Sequence, residues 1–335
     1  MEIDREKLLA QLQSVTSGLA RREIIEQSTY FIFIDGMVRT YNDEVACSCE
    51  CDVGLEGAVP AVPLVPLLKS WPAKSVKMLK KDGNLHLRQG RRRSTISMPS
   101  GICLPVDLVG IPKKWRKLPK SFSDAVKVVA PCAGTDASKF VLMCIHIHPD
   151  YIEAADNFQV CRYPMKTGVK EPVVIRRDSL VAILGMEVTR FAEDPNWVHF
   201  RNTDGVSIAC RRQENKYPTG GVTKALDMEG SLVEMPKDMG EILARCEIFS
   251  KDNVVNLVTV KMKGSVARIL GEDRNGSRFE EECEVDYGGP LIEFKMNPSL
   301  LLEISKRSNE CILSDKMMKA RVSEFEYAAC LLRNE

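Results

Sequence analysis

Five side chains in the sequence have the chemistry of transition-metal ligands. Cys47, Cys49 and Cys51 alternate in the segment ACSCECD, so on a β-strand their thiols would share one face. His146 and His148 alternate in the same way in CIHIHPD. Zinc prefers such ligands, but the sequence has no CxxC pair and no second ligand cluster at a suitable spacing. A metal-dependent enzyme that uses these five residues therefore stands as an alternative hypothesis.

Other signatures of catalysis are missing from the sequence. The segment RQGRRR is too basic for a phosphate-binding loop and falls in a predicted hairpin, not before a helix. There is no G-x-S-x-G and no H-E-x-x-H motif. The four His residues lie near no candidate nucleophile. The sequence therefore favours a protein that is not an enzyme and needs no cofactor.

The composition is that of a globular protein. The 335 residues are 44% hydrophobic and 28% charged, with a net charge of +1, and two or three domains are expected for this length. No apolar run approaches the roughly 18 residues of a membrane span, and the first segment, MEIDREKLLAQL, is charged rather than secretory. Most of the 12 Cys residues sit in apolar runs, which is typical of reduced core thiols. We expect a cytoplasmic protein without a membrane partner.

Helical segments that would position any site recur along the chain. One set reads DREKLLAQLQSV, SFSDAVKVVAP and DMGEILARCEI, and its last two members follow similar Pro-Lys segments about 117 residues apart. A second set occupies 59–72, 174–187 and 294–307. Each member of this set offers an apolar pair at i and i+4, which predicts one buried stripe per helix. The pairs are Leu64 and Leu68, Leu180 and Leu184, and Leu300 and Ile304.

Alternating segments follow each helix, and they predict antiparallel strands. Asp82-Gly83 and Asp204-Gly205 are hairpin-turn signals within two of them. The sequence therefore predicts an α+β fold of three tandem copies of one domain, each with two helices and two small antiparallel sheets. The predicted domains are residues 1–117, 118–234 and 235–335, with boundaries near IPKKWRKLPK and GSLVEMPK.

Charge is graded along the chain. Residues 1–117 carry 18 basic and 13 acidic residues (+5), residues 118–234 carry 14 and 15 (−1), and residues 235–335 carry 15 and 18 (−3). The basic excess includes Arg91, Arg92 and Arg93, and the acidic counterpart is FEEECEVD at 279–286. Such runs are usually solvated faces. A positive head and a negative tail nevertheless favour head-to-tail association of identical subunits, which closes into a ring where the rotation allows.

The order and spacing of these segments resemble a known family over nearly the whole chain. AVPAVPLVPLLKSWP and GRRRSTIS resemble the second helix and closing strand of the first domain of bacterial-type DNA polymerase sliding clamps, the beta clamps or DNA polymerase III beta subunits. EAADNFQVCRYPM occupies the place of the family's ATDGHRLA segment, and CEIFSKDNVVNL resembles the end of the third domain's first helix. The chain looks like a divergent, phage-like member.

This resemblance implies a processivity factor for DNA replication. Two three-domain subunits would form a homodimeric ring of six domains, with the sheets outside and the helices, carrying Lys and Arg, around duplex DNA. The implied partners are double-stranded DNA bound without sequence specificity, a DNA polymerase, an ATP-dependent clamp loader and a second copy of the chain. The implied location is the nucleoid or the replication fork. A trimeric ring and a structural oligomer unrelated to DNA stay as alternatives, although three repeats per chain favour the dimer.

The resemblance also implies which cations face DNA and which residues join the subunits. DNA-facing positions by resemblance are Arg22, Lys69, Arg176 and Arg177, and helix position alone adds Lys127, Arg245 and Lys306. An ordinary solvated side chain is the alternative for each of them. The subunit interface would bring Ile248 and Phe249 against Ser94 and Ile96, and core packing is the alternative for its apolar members. Ser94 is small and polar where the family commonly has a bulky apolar residue.

A cleft that holds short linear motifs of partner proteins is the last implied site. The matching positions are Leu142, Ala155, Asn157, Phe158, Val160, Pro218, Val222, Ala328, Cys330 and Leu332. Core packing is the alternative interpretation for Phe158 and Val160. The segment 155–160 departs from the family's Thr-Asp-Gly-His-Arg-Leu, and the chain ends in Arg-Asn-Glu instead of the usual Met-Pro-Met. The preferred motif of such a cleft is therefore left open.

Overall fold

A computed structural model of the chain describes residues 1–251 and 256–332. Positions 252–255 of the segment CEIFSKDNVVNL and the final residues 333–335 lie outside the described residues. The described helices are α1 (Arg5–Ser14), α2 (Ala61–Ser70), α3 (Phe122–Val129), α4 (Arg177–Val181), α5 (Thr219–Leu226), α6 (Met239–Ser250) and α7 (Pro298–Arg307).

Strands make up most of the remaining regular structure. The described strands are β1 (Glu2–Asp4), β2 (Tyr30–Ile34), β3 (Met37–Tyr41), β4 (Val45–Glu50), β5 (Gly57–Pro60), β6 (Ser75–Lys81), β7 (Asn84–Gln89), β8 (Arg92–Ser97), β9 (Arg116–Lys117), β10 (Cys144–His148), β11 (Tyr151–Ala155), β12 (Gln159–Pro164), β13 (Val173–Arg176), β14 (Arg190–Glu193), β15 (Trp197–Arg201), β16 (Ser207–Gln213), β17 (Ser231–Glu234), β18 (Val258–Lys263), β19 (Val266–Glu272), β20 (Arg278–Glu284), β21 (Asp286–Tyr287), β22 (Ile292–Met296), β23 (Glu310–Leu313), β24 (Met317–Ala320) and β25 (Glu326–Cys330). The paired strands described below are antiparallel, as the hairpin signals predict.

The chain divides into two compact units. Unit 1 contains Met1–Lys127 and Thr167–Glu214, and unit 2 contains Val128–Lys166 and Asn215–Glu335. The largest sheet of unit 1 has the strand order β5-β2-β3-β4-β16-β15-β14-β9. The largest sheet of unit 2 has the order β10-β11-β12-β25-β24-β23-β17-β21.

Each large sheet joins strands from two of the predicted domains. In unit 1 the central join is the pairing of β4 with β16, where Cys47 lies opposite Ile208, and β9 also pairs with β14 across the predicted boundary. In unit 2 the central join is the pairing of β12 with β25, where Val160 lies opposite Ala328, and β17 also pairs with β23 across the predicted boundary. We call the two central joins the unit 1 seam and the unit 2 seam. The second predicted domain contributes strands to both units, and the three-domain organisation stays a prediction.

Each unit also has a smaller sheet with the same connectivity. The order is β1-β6-β7-β8 in unit 1 and β22-β18-β19-β20 in unit 2. In each sheet a three-stranded meander pairs through its first strand with the strand that precedes a helix. Asp82 and Gly83 both have positive φ, 49° and 72°, which matches the predicted two-residue hairpin turn between β6 and β7.

Helices α2, α4 and α7 bury one stripe each, as the periodicity predicts. Leu64 and Leu68 of α2 are fully buried, which confirms that pair. In α4 and the 3-10 turn that follows, Leu180 is fully buried with Ile183, whereas Leu184 is only half-buried. A 3-10 turn brings i and i+3 onto one face, so the predicted i+4 partner is wrong there.

The third pair is shifted in the same way. In α7 the buried residues are Leu301 and Ile304, while Leu300 is half-buried, so the predicted pair of Leu300 and Ile304 is half right. Asn297 caps this helix by accepting a hydrogen bond from the N–H of Ser299 at 2.9 Å. The predicted α+β class with antiparallel sheets is confirmed. Within the described residues no helix has both the length and the hydropathy to cross a membrane.

Candidate partner-binding cleft and DNA-facing surface

Three of the predicted cleft residues form a row across the unit 2 seam. Ala155 of β11 lies opposite Val160 of β12, and Val160 lies opposite Ala328 of β25. Their exposures are 3%, 8% and 0%, so these side chains make a closed apolar floor rather than a rim. The alternative of core packing therefore describes Val160 in the isolated chain.

A tight turn between β11 and β12 presents Phe158 to solvent. The Asp156 carboxylate accepts hydrogen bonds from the N–H groups of Phe158 at 2.7 Å and Gln159 at 2.8 Å. The Asp156 N–H donates back to the Gln159 carbonyl at 3.0 Å, which closes the turn. Phe158 is 53% exposed, and Asn157 beside it is exposed as well. Phe158 is thus a large apolar side chain at the mouth of the seam.

The end of β25 and the segment before β10 border this turn. The N–H of Cys330 donates to the Phe158 carbonyl at 2.7 Å. On the other side, Lys139 donates to Asn157 Oδ1 at 2.7 Å. Leu142 is half-buried, and its carbonyl accepts from the N–H of Gly134 at 2.7 Å. A Cβ on Gly134 would lie 3.5 Å from that of Asp156, which places Leu142 next to the turn.

Helix α5 carries Pro218 and Val222, and it packs on β12 and β25. Pro218 at the N-cap is exposed, whereas Val222 is 2% exposed. The sequence pattern does not predict this helix. It has only eight residues and begins Thr-Gly-Gly, and each Gly costs about 1 kcal/mol relative to Ala in a helix. Its position therefore depends on contacts with the sheet beneath it.

The strongest of these contacts come from a buried carboxylate, Glu153 of β11, which is 0% exposed. Its Oε2 accepts hydrogen bonds from Nε and Nη2 of Arg162 at 2.9 and 2.7 Å. Its Oε1 accepts from the Thr219 hydroxyl at 2.8 Å and lies 2.8 Å from Nδ1 of His146. Burial alone would raise the pKa of Glu153, but the hydrogen bonds from His146 and Arg162 and the charge of Arg162 lower it overall.

Arg162 extends this network to the body of α5. Its Nη2 also donates to the Thr223 hydroxyl at 2.8 Å, and its guanidinium lies 4.4 Å from the ring centroid of Tyr151. His146 stacks on Tyr217, immediately before α5, with ring centroids 5.1 Å apart. We call Glu153, Arg162, His146 and Thr219 the Glu153 network. It holds the first turns of α5, and hence Pro218 and Val222, over the seam.

Four of the five residues of the alternative metal-site hypothesis have other surroundings. His146 belongs to the Glu153 network, and Cys47, Cys49 and Cys51 are buried on β4 or just beyond it. Burial raises the pKa of the Cys47 and Cys51 thiols to about 12, so both stay protonated at neutral pH. Over residues 1–251 and 256–332, no group of three or more His, Cys, Asp or Glu side chains is arranged to hold a metal ion.

Leu332 stands apart from the other predicted cleft residues. It is 43% exposed, and its backbone forms a two-way bridge with Lys295 of β22, at 2.6 and 2.7 Å. The structure therefore brings together the β11–β12 turn, the end of β25, Leu142 and α5, and it anchors Leu332 separately.

Three of the seven predicted DNA-facing cations pair with a carboxylate on their own helix. Lys127 pairs with Asp124 at 3.1 Å, Lys306 with Glu303 at 3.1 Å, and Arg177 with Asp178 at 2.9 Å. These pairs lie on the exposed faces of α3, α7 and α4, where each contributes little to stability. With these carboxylates counted, α3 and α4 carry no net charge and α7 carries a net charge of +1.

Four further predicted cations show different surroundings. Lys69, in the last turn of α2, and Arg22 are exposed. Arg176 is half-buried at the end of β13, and its Nε is buried without a hydrogen-bond partner among the described residues. Arg245 donates from Nε and Nη2 to both carboxylate oxygens of Glu281 on β20, at 2.8 Å each, so its guanidinium is directed to the small sheet.

Two of the predicted interface residues lie on the edge strand β8, and the other two lie near the end of α6, which packs on the edge strand β20. Within the described chain, β8 pairs only with β7 and β20 only with β19. Ile96 of β8 is 5% exposed opposite Leu85, so it packs in the core of its own sheet, and Ser94 is half-buried. Ile248 is 63% exposed, and Phe249 stacks on Phe279 of β20 at 6.3 Å.

The two edges differ in charge. Arg91, Arg92 and Arg93 are exposed at the start of β8. Glu280, Glu282 and Glu284 are exposed along β20. Unpaired strand edges readily add another strand, and opposite charges favour such pairing. The basic head and acidic tail noted in the sequence thus lie on the free edges of the two small sheets.

Comparison with solved structures identifies the fold. The chain matches the DNA polymerase III subunit beta of Pseudomonas aeruginosa with a TM-score of 0.83 and 18% identity over 100% of both chains. It matches Caulobacter crescentus pol III beta with a TM-score of 0.86 and 15% identity over 99% of both chains. The Thermotoga maritima beta subunit gives 0.82 and 15% over 100% of this chain and 99% of that one. No protein-family model and no curated protein matches the sequence. The chain therefore has the fold of the bacterial DNA polymerase III beta subunits.

Proposed function

We propose that this protein is a DNA polymerase processivity factor, a homodimeric ring that encircles duplex DNA and slides along it. The observation that carries the proposal is the fold match over the full chain to proteins described as DNA polymerase sliding clamps, at TM-scores of 0.82 to 0.85. In this role the protein does no chemistry. It works in the cytoplasm, at the nucleoid or replication fork.

The charges of the helices support a topological grip on DNA. A ring stays on DNA because it is closed, so weak contacts with phosphates suffice and allow sliding. Pairing of Lys127, Arg177 and Lys306 with neighbouring carboxylates leaves few free cations, which suits weak contact. Arg22 and Lys69 are exposed and are the best candidates among the seven for direct phosphate contacts.

Edge-strand pairing supports the ring. The basic edge of β8 and the acidic edge of β20 are different surfaces of one chain, so their contact between copies is heterologous and closes into a ring of two chains. The exposed Ile248 adds an apolar contact beside β20. Three predicted domains per chain then give six around the ring, which favours a dimer over a trimer.

The cleft over the unit 2 seam supports the tethering of a polymerase. A partner segment with apolar side chains would fit between Phe158, Leu142 and Pro218, above the floor made by Val160 and Ala328. An ATP-dependent loader would open the ring and use the same kind of contact. The exposed Phe158 would be its main anchor.

Retention on circular DNA tests the proposal. The protein is loaded onto nicked circular duplex DNA by a clamp loader, and the fraction bound is measured before and after the circle is linearised. We expect stable retention on the circle and rapid loss from the linear form, because only an encircling ring slides off free ends. Sedimentation should give twice the 37.5 kDa chain mass. Equal retention on both forms, or a monomer at all concentrations and salt levels, would contradict the proposed ring.

A further inference from the structure

The outer face of the small sheet of unit 1 carries a row of three cations, of which Lys77 and Arg88 have none of the preceding roles and Arg93 also belongs to the basic edge of β8. Lys77 of β6, Arg88 of β7 and Arg93 of β8 are cross-strand neighbours in one row. All three are exposed. Side chains alternate between the two faces along each strand, so these cations lie on the face away from the buried Val76, Leu87 and Ile96. Neighbouring strands are about 4.8 Å apart, so the backbone positions that carry the three cations lie within about 10 Å of each other.

This cation row is not neutralised by the chain itself. Among the described residues, no carboxylate lies within ion-pair distance of Lys77, Arg88 or Arg93. Glu2 of β1 continues the row next to Lys77, but its carboxylate accepts a hydrogen bond from the Ser75 hydroxyl at 2.6 Å. Like charges directly opposite each other destabilise a sheet, so the stability of the sheet does not explain the presence of this row.

In the corresponding sheet of unit 2, cations on the strands pair with carboxylates on neighbouring strands. There Lys261 pairs with Glu293 at 3.3 Å, and Arg268 pairs with Glu280 at 2.8 Å and with Glu282. The two sheets share their connectivity, so the fold does not require an unpaired cation row. The row is a property of unit 1.

A second row beside the cations has a different character. Leu79, His86 and Thr95 are cross-strand neighbours on the same face, and Leu79 is 59% exposed. His86 is half-buried, and its Nδ1 lies 3.1 Å from the Thr95 hydroxyl, which fixes the imidazole on the sheet surface. A flat apolar and imidazole surface next to a line of cations suits a chain of phosphates that carries exposed bases.

We propose that this outer face binds single-stranded DNA, with phosphates along Lys77, Arg88 and Arg93 and bases over Leu79 and His86. An acidic peptide would use the cations but would gain nothing from the second row. Duplex DNA would present phosphates only, because its bases are stacked inside. The contact needs no ring closure, so it extends beyond the proposed function and can be tested without it.

The test measures binding of a fluorescein-labelled oligothymidylate to the full-length protein by anisotropy across a salt series, without a loader. The variant carries Lys77→Ala and Arg88→Ala. The matched control carries Lys261→Ala and Lys263→Ala, which removes the same charge from β18, the counterpart of β6. We expect the first variant to bind more weakly, with the slope of log K against log salt reduced by about 1.4, and the control to bind like the wild type.

A second variant separates the base row from the phosphate row. Leu79→Ala with His86→Ala should weaken binding while leaving the salt slope unchanged, because it removes no phosphate contact. The proposal would be overturned by wild-type affinity in the Lys77 and Arg88 variant, by an equal loss of affinity in the control, or by equal binding of polyglutamate.

Retention on circular duplex DNA should be unchanged in every variant. If the wild-type protein is not retained on the circle, that result counts against the proposed ring and not against the single-strand site.

Discussion

The two seams solve the same structural problem with different chemistry. At the unit 1 seam, Leu104 and Val106 from the segment after β8 pack on Tyr41 and Trp197, and all four are buried. The Tyr41 and Trp197 rings lie 6.2 Å apart. The cavity that remains beside Val106 and Tyr41 measures about 30 Å³, room for one or two waters. The chain itself fills this seam with apolar side chains.

At the unit 2 seam the covering element is held by polar contacts. Helix α5 is fastened through Thr219 and Thr223 to Glu153 and Arg162, and Phe158 is left exposed at the mouth. The segment that fills the unit 1 seam beside Tyr41 leaves no room for a partner there, although a pocket of about 710 Å³ opens at the end of that seam, lined among others by Cys49, Glu50 and Val206. The unit 2 seam is covered by a short helix on polar anchors and keeps an apolar rim open, and this difference explains why a docking site for apolar side chains is expected at the unit 2 seam.

Breaking the Glu153 network should have the largest effect. Glu153→Ala leaves Arg162 buried without its carboxylate, and removing one partner of a buried ion pair costs about 3–5 kcal/mol. The free energy of unfolding from urea titrations should fall by that amount. Hydrogen exchange should rise first in α5, because its anchors are lost.

A paired replacement serves as the control. Glu153→Leu combined with Arg162→Met removes both charges, and buried ion pairs replaced by apolar residues are often neutral in stability. The double variant should recover most of the loss. If the free energy of unfolding of Glu153→Ala lies within about 1 kcal/mol of the wild-type value, the network does not hold unit 2 together.

Truncating a buried side chain at the unit 1 seam should lower the free energy of unfolding by a smaller amount and should leave partner binding unchanged. Leu104 is 3% exposed, and truncating a buried Leu to Ala costs about 2–4 kcal/mol. We expect Leu104→Ala to lower the free energy of unfolding by about 3 kcal/mol while peptide affinity stays the same. Leu108, 71% exposed on the same segment, is the matched control and should change stability by less than about 0.5 kcal/mol. A loss of peptide binding in Leu104→Ala would show that the seams are coupled.

Phe158 should separate binding from stability. Because it is 53% exposed, Phe158→Ala should leave the free energy of unfolding within about 0.5 kcal/mol of the wild type. A central aromatic anchor carries about 2 kcal/mol, so the dissociation constant for a polymerase peptide with apolar anchors should rise about 30-fold. Leu232→Ala, at an equally exposed position of β17, should leave that constant unchanged. Unchanged affinity in Phe158→Ala would remove the cleft from the proposal.

Local patterns predicted the elements but not the network. The apolar pair of α2 and the Asp82-Gly83 turn follow from neighbouring residues, because periodicity and positive φ are local properties. Helix α5 could not be predicted in this way, since its Thr-Gly-Gly start has low helix propensity and tertiary contacts decide its position. The partners of Glu153 lie 7, 9 and 66 residues away, so no spacing in the sequence reveals them.

The candidate site was predicted through family resemblance rather than through its chemistry. That resemblance named the floor residues Val160 and Ala328 together with the exposed Phe158, yet it could not say which are buried. Helix position alone, without the resemblance, added Arg245 to the DNA-facing cations, and the structure pairs that side chain with Glu281. Helix position determines on which face a residue lies, but the charged group of a long side chain can extend beyond that face. Nearby carboxylates then decide where the charged group lies.

The smallest expected effect comes from an exposed ion pair at the unit 1 seam. Arg211 of β16 pairs with Asp43, and its guanidinium lies 4.8 Å from the ring centroid of Trp197. About a third of the Arg211 side chain and more than half of Asp43 are exposed, so water screens the pair. Arg211→Ala should lower the free energy of unfolding by about 0.5–1 kcal/mol, compared with about 3–5 kcal/mol for Glu153→Ala.

High salt should reduce the loss of stability in Arg211→Ala more than the loss in Glu153→Ala, because screening acts on exposed charges. Arg211→Lys keeps the charge without the planar stack, so partial rescue would divide the effect between the ion pair and the ring contact. A loss as large as that of Glu153→Ala would mean that the unit 1 seam also relies on polar anchors, and the contrast between the two seams would then be wrong.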